Sequence, residues 1–345
     1  MTTYADSGVH LGDARAITDR LAAIAARTRG ASVLADVGAF GGMFSLGAWG
    51  QLKEPVLVAS TDGVGTKVMV AAALGRYDTL GHDLVNHCLN DIAVQGARPL
   101  FFLDYLALHR ADPDVVTALV GGVAEACRLA GCALLGGETA EMPDVYAPGG
   151  FDIAGFVVGI VDRAEIGRNG EPEVEDFLVG LPSSGLHTNG YSLARRALPP
   201  VTWDRYEPSL GTTVGEALLA PHRSYLDEIR SLTDAGARAF AHITGGGIPE
   251  NLPRVLSPTV AAVIHRHSWE PPAIFRLIAE AGAVAGDEME RVFNVGIGLV
   301  AVVPSDRLDA VLAAVPEGQP IGRLVERQSD ERLRFVGEHA GRGTG

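Results

Sequence analysis

Val56-Leu57-Val58-Ala59-Ser60-Thr61-Asp62-Gly63-Val64-Gly65-Thr66-Lys67 opens as a strand and closes as a loop. The four apolar residues predict a short buried strand. The residues after them are small except for Asp62 and Lys67. Glycine lets backbone approach a phosphate closely, and successive amides can bind its oxygens. Lys67 can neutralise phosphate charge, and Asp62 can hold Mg²⁺. The spacing is not that of a Walker A loop, and the chain contains no G-x-G-x-x-G fingerprint. By itself the segment reads equally well as a turn with a solvated Asp and Lys.

The sequence around it weights the nucleotide reading. A helix is predicted over 82–95, with Leu84, Val85, Cys88, Leu89 and Ile92 on one side and Asp83, Asn86, His87, Asn90 and Asp91 on the other. Solvated helix faces favour Glu, Lys and Arg, whereas Asn and Asp are poor helix formers. Short polar side chains in that row point to ligands for a metal or a polar substrate. Asp104 ends the apolar run Phe101-Phe102-Leu103, and Glu138 follows Gly136-Gly137 at the end of a strand predicted over 132–135. If these strands share a sheet, Asp62, Asp104 and Glu138 converge at its edge. Clustered carboxylates call for a cation, and Mg²⁺ carrying a triphosphate fits an all-oxygen set.

Other helices are predicted over 13–28 and from Asp112-Pro113 to Gly131, the latter with Asp as N-cap. A long strand is predicted over 151–161. The polar stretch Gly167 to Glu173 marks a domain boundary, which divides the chain into 1–168 and 169–345. Beyond it strands are expected over 177–181, 239–243, 260–264, 296–303 and 321–325, and helices over 191–198, 221–235, 272–282 and 305–315. The fold class is α/β of the α+β type, in two domains. In the second, Ser183-Ser184-Gly185-Leu186-His187-Thr188-Asn189-Gly190 and Thr244-Gly245-Gly246-Gly247 each follow a strand and open a helix, a geometry suited to an anion. His187 is a candidate acid, base or phosphate partner. The stretch 287–294 gives no reading.

The chain has 345 residues and a net charge of −14, from 28 basic and 42 acidic residues. So acidic a surface disfavours nucleic acid and anionic membranes as partners. Cys88, Cys127 and Cys132 lack metal or redox spacing and read as buried small hydrophobes in a reducing compartment. The first residues carry no basic-then-apolar leader and no apolar run reaches ~20 residues, so a cytoplasmic location is expected.

Taken in order, six motifs resemble the phosphoribosylformylglycinamidine cyclo-ligase family, also called aminoimidazole ribonucleotide synthetases. They are residues 60–67, Asn90-Asp91, Phe-Phe-Leu-Asp-Tyr at 101–105, Gly-Gly-Glu-Thr-Ala-Glu-Met-Pro at 136–143, Gly-Leu-His-Thr-Asn-Gly-Tyr-Ser at 185–192, and Thr-Gly-Gly-Gly at 244–247. The resemblance runs from Tyr4 to about residue 327. It implies ATP-driven ring closure of formylglycinamidine ribonucleotide to 5-aminoimidazole ribonucleotide, with ADP and phosphate released, in purine biosynthesis. It also implies an N-terminal domain that pairs in a homodimer, and an active site in the cleft between the two domains.

Carried over residue by residue, Gly41, Thr61, Asp62, Gly63, Gly65, Thr66, Lys67, Asn90, Asp91 and Glu138 face ATP. Of these, Asp62, Asp91 and Glu138 hold Mg²⁺. Ser184, His187, Asn189, Thr244, Gly245, Gly246 and Gly247 face the ribonucleotide, with Asp91 and His187 catalytic. The glycine-rich stretch 38–42 is expected as a flap over the nucleotide. One departure stands out: similar proteins carry a lysine on the first helix, where this chain has Ala22, and Arg20 is a possible substitute. Selenophosphate synthetase, the hydrogenase maturation protein HypE and thiamine-monophosphate kinase share the superfamily fold. The first two are opposed by the absence of a Cys before Cys88 and at the C-terminus, and the kinase by Glu-Thr-Ala-Glu-Met-Pro. A non-catalytic nucleotide-binding subunit is the remaining alternative.

Overall fold

The structure is a computed structural model that describes residues 11–35 and 40–339. Gly38 and Ala39 of the glycine-rich stretch, Tyr4, and the end of the tail lie outside the described residues. The chain divides into two compact units. The first ends at Arg163; the second begins at Ala164 and also takes in Ala93–Gly96.

The first unit contains α1 (Leu11–Ala26), β1 (Pro55–Gly63), α2 (Lys67–Leu74), α3 (Leu80–Ala93), β2 (Arg98–Leu108), α4 (Pro113–Leu129), β3 (Ala133–Glu141) and β4 (Phe151–Asp162). Its strands form one sheet in the order β1-β4-β2-β3. β4 is antiparallel to both neighbours, and β2 is parallel to β3. A parallel pair needs a crossover, and α4 supplies it. As the sequence predicts, Asp112 caps α4, accepting from the amides of Asp114 at 2.9 Å and Val115 at 3.3 Å.

β1 departs from expectation. It runs nine residues, through Asp62 to Gly63, and its burial alternates instead of being continuous. Its whole length pairs with β4, from Pro55 opposite Asp162 to Gly63 opposite Ala154. Thr61 Oγ1 also donates to the Gly155 carbonyl at 2.8 Å. The long partner strand thus carries the ladder past the point where the apolar residues stop. One face of the sheet meets α3, where Leu84 lies beside Gly155. The other face leaves Leu57, Tyr105 and Phe156 at 59, 42 and 41% exposed.

The second unit contains β5 (Phe177–Pro182), α5 (Tyr191–Ala197), β6 (Tyr206–Glu207), β7 (Thr212–Thr213), α6 (Val214–Leu218), α7 (Leu226–Ala235), β8 (Ala239–His242), α8 (Gly247–Asn251), β9 (Val260–His265), α9 (Ala273–Gly282), α10 (Gly286–Val292), β10 (Ile297–Val303), α11 (Leu308–Ala314), β11 (Gln319–Glu326) and β12 (Leu333–Val336). The main sheet has the order β12-β9-β11-β5-β10-β8. Every pair in it is antiparallel except β12 with β9. β10 is buried at all seven positions, and apolar clusters cover both faces. One includes Ile248, Leu252 and Trp269; the other includes Tyr225, Ile229, Leu232 and Val311. The five expected strands and four expected helices are present with shifted ends. The β6–β7 hairpin, β12 and the short helices α6, α8 and α10 add to them. No helix among the described residues is long and apolar enough to cross a membrane.

Candidate active site

The edge strand β1 and helix α3 build a polar cluster. Sheet alternation turns Ser60 and Asp62 toward α3, and each meets a side chain there. Ser60 Oγ donates to Asp91 Oδ2 at 3.0 Å. Asp62 Oδ2 lies 3.0 Å from His87 Nε2, and Asp62 Oδ1 accepts from the Gly63 amide at 2.7 Å. Burial pushes the Asp62 carboxyl up, and the nearby Asp91 charge adds to that. The His87 hydrogen bond and charge, with the Gly63 amide, outweigh both and leave it below its ordinary value. Asn90, the residue before Asp91, is fully buried. The expected polar row on α3 is therefore present, but it is an inward row: none of the helix's residues is exposed.

Lys67 is placed differently from expectation. It is the first residue of α2, and only Val64, Gly65 and Thr66 lie between strand and helix. Its ammonium is fully buried and donates to Asp83 Oδ1 at 2.7 Å. Burial lowers its pKa, against the Asp83 charge and hydrogen bond, which raise it. A buried, paired ammonium offers no charge to a phosphate in this arrangement; it anchors the start of α2 to α3.

Glu138 also departs from expectation. Asp62, Gly155, Asp104 and Gly137 stand in one row across the four strands, so Asp62 and Asp104 share a face, two strands apart. Glu138 pairs with Tyr105, one position on, and belongs to the opposite face. The three carboxylates do not converge within one chain. Glycine is required at 137: a Cβ there would lie 2.1 Å from Asp104 Oδ1. Gly41 is exposed with no neighbour within 4 Å of a built Cβ. Arg20 pairs with Asp114 at 3.4 Å in an exposed contact, not with the β1–α3 cluster.

In the second unit the two expected loops are held by asparagines the sequence reading did not single out. Asn294 Nδ2 donates to the Gly185 carbonyl at 2.9 Å, and Asn294 Oδ1 accepts from Ser183 Oγ at 3.0 Å. Asn251 Nδ2 donates to the carbonyls of Gly245 at 3.1 Å and Gly247 at 2.8 Å, while its Oδ1 accepts from Thr244 Oγ1 at 3.2 Å. Gly247 has φ +59°, and a Cβ there would lie 2.0 Å from the Glu290 carbonyl, so only glycine fits. Asn189 abuts Gly245, its Oδ1 3.2 Å from where a Cβ would stand.

His187 is fully buried, with φ +60°. Its Nε2 accepts from the Ser184 amide at 3.3 Å. It braces the loop from inside.

Two family models match the chain: AIR synthase related protein, N-terminal domain, over residues 48–161, and its C-terminal domain over residues 173–333. Phosphoribosylformylglycinamidine cyclo-ligase from Nitratidesulfovibrio vulgaris is 48% identical over 315 residues, 90% of each chain. The Sorangium cellulosum enzyme of that name is 49% identical, covering 90% of this chain and 91% of its own. That from Desulfatibacillum aliphaticivorans is 45% identical over 96% and 98%. The chain belongs to the phosphoribosylformylglycinamidine cyclo-ligase family.

Among solved structures, the family fold is shared with Escherichia coli HypE at TM-score 0.66 and 18% identity, covering 94% of this chain and 93% of that one. Thiamine-monophosphate kinase from Stenotrophomonas maltophilia matches at TM-score 0.62 and 21% identity, covering 92% and 95%. Both units of this family member thus have the AIR-synthase α/β architecture. Asn251 and Asn294 escape the sequence reading because no local pattern marks a side chain that braces a distant loop.

Proposed function

We propose that this chain catalyses ATP-dependent ring closure of formylglycinamidine ribonucleotide to 5-aminoimidazole ribonucleotide, releasing ADP and phosphate, as a step of purine biosynthesis. The observation that carries the reading is identity of 45–49% to cyclo-ligases across nine-tenths or more of both chains.

The β1–α3 cluster suits the nucleotide. Asp62 and Asp91 stand close enough for the Asp91 charge to oppose ionisation of Asp62. A hard cation relieves that repulsion, and the Ser60 hydroxyl beside Asp91 adds a further oxygen, which fits Mg²⁺. Asp62 and Asp91 would hold the ion, whose contribution when bound is to neutralise the triphosphate. Glu138 stays in the proposed set as a residue of the opposite face. Thr61, Gly63, Gly65 and Thr66 would lie along the phosphates, with Lys67 fixing the turn through Asp83. Gly41 belongs to the proposed flap.

The ribonucleotide falls to the second unit. Asn251 occupies carbonyls of the triglycine turn, and the amides of Gly245 and Gly246 are the groups it has to offer an anion. Ser184, His187, Asn189, Thr244 and Gly247 complete that proposed set, with Asp91 and His187 as the proposed catalytic residues. The chemistry needs little more than placement: an amide oxygen is a poor leaving group, phosphorylation makes it a good one, and the amidine nitrogen then closes the ring. A homodimer through the first unit, with the reaction in the interdomain cleft, completes the proposal. The open apolar face at Leu57, Tyr105 and Phe156 supports the dimer.

Protein mixed with ATP, Mg²⁺ and formylglycinamidine ribonucleotide should yield 5-aminoimidazole ribonucleotide and ADP in equal amounts. Binding of both ligands without product would overturn the reading and leave a nucleotide-binding module. Asp91→Asn should lower kcat by about a hundredfold or more with an unchanged melting temperature.

A further inference from the structure

The second unit holds three histidines in contact, of which the reading above uses only His187. His187, His222 and His242 are all buried. A nitrogen from each lies within 4.8 Å of the others. The His187 and His222 rings stack with centroids 3.9 Å apart and planes 16° from parallel. His222 Nε2 lies 3.0 Å from His242 Nε2, and His222 Nδ1 lies 3.4 Å from Thr188 Oγ1. The three rings come from separate parts of the chain: the loop after β5, the segment before α7, and the last residue of β8. Two of those places run straight into the proposed ribonucleotide loops. His187 sits inside 183–190, and His242 precedes Thr244 by two residues.

Proton placement decides between a cation site and a strut. Because the Ser184 amide donates to His187 Nε2, that nitrogen carries no proton, and in the neutral ring the proton is on Nδ1. A metal takes a lone pair from each imidazole. His187 can give one only at Nε2, which breaks the Ser184 bond. The facing His222 and His242 nitrogens share one proton between them, whereas a metal needs both bare. Stacked rings also stand side by side and do not radiate from a point.

As a strut the His222 contacts are consistent. The Thr188 hydroxyl can donate or accept, so His222 is satisfied in either tautomer. β10 leaves the cluster no slack: a Cβ on Gly298 would lie 2.0 Å from Tyr225 Oη and 2.6 Å from His187 Cε1.

We infer that His222 and His242 are positioning residues for ribonucleotide binding, holding the 183–190 loop and the triglycine turn in one spacing through His187. The inference rests on the reading that those loops bind the ribonucleotide. A ligand spanning two loops binds best when their separation is set beforehand.

Steady-state kinetics on His222→Phe, His222→Gln, His242→Phe and the double Phe variant tests this. Phe keeps the ring and its stacking but removes both nitrogens; Gln keeps a polar end toward His242. Each Phe variant should raise the KM for formylglycinamidine ribonucleotide by about tenfold and move the KM for ATP by less than about twofold. His222→Gln should recover most of the loss, and the double variant should be no worse than either single one, as expected of one coupled unit. A packing role alone gives the reverse order, with Phe tolerated better than Gln and the loss seen in melting temperature. That order, or an unchanged ribonucleotide KM in folded Phe variants, overturns the inference. If the Phe variants do not fold, His222→Asn, which reaches Thr188 but not His242, replaces them in the comparison with Gln. Asn189→Ala separates the two levels. If it raises the ribonucleotide KM while the histidine variants do not, the coupling fails and the loop assignment stands. If neither changes KM, the loop assignment falls and the inference with it.

Discussion

Asp62 and Asp104 stand in the same row of the first sheet, yet their carboxyls are driven in opposite directions. Asp62, at the edge strand, has His87 and the Gly63 amide to hold it ionised. Asp104, two strands inward, is pushed by burial up to about 7 from 3.8. Between those two values the folded chain binds a proton that the unfolded chain has released. Stability from the neutral carboxyl is therefore full near pH 4 and lost as pH rises through 7, by roughly 4 kcal/mol at most. Asp104→Asn removes this loss, so urea denaturation should show the variant gaining on the parent between pH 4.5 and 7.5. A constant difference across that window would mean that Asp104 ionises normally. Both aspartates were legible in the sequence as strand-end carboxylates. Their environments were not, because column position in a sheet depends on strand order, which no local pattern carries.

At the scale of elements, the sequence reading stopped β1 at Ala59 because apolar residues end there. The ladder with β4 overrode that boundary and made Asp62 a strand residue. The same boundary conceals α2, because the small residues before Lys67 read as loop. The true role of Lys67 follows from the helix it starts: its bond to Asp83 joins α2 to α3 inside the fold. Breaking a buried pair on one side leaves a bare charge. Lys67→Met should destabilise by about 3–5 kcal/mol in urea titration, and Lys67→Met with Asp83→Leu should recover most of it. A single variant within about 1 kcal/mol of the parent would deny the pair that role. The motif-bearing loops of the second unit were legible because glycine and asparagine cluster where a strand meets a helix. Their braces, Asn251 and Asn294, were not, since each is an ordinary polar residue until the fold places it.

On the scale of the whole molecule, both units have the family's α/β architecture, and order of motifs was the strongest signal in the sequence. The open face of the first sheet is where the proposed homodimer is tested. Leu57, Tyr105 and Phe156 are more exposed than a sheet face of a free unit tolerates easily. Light scattering should return twice the chain mass for the parent, and the chain mass for Leu57→Arg with Phe156→Asp, at unchanged helix content. A monomeric parent would remove the homodimer from the proposal.

Helix α3 leaves one more consequence, in the currency of mutational tolerance. A surface helix such as α7 exposes Asp227, Arg230 and Asp234 along one side, so substitutions there should be tolerated every third or fourth residue. α3 has no exposed position in its fourteen residues. One side packs in the core and the other holds Lys67, Asp62 and Ser60. A saturation library over 80–93 should therefore show no helical rhythm of permissive sites. Its intolerance should run around the full circumference of the helix.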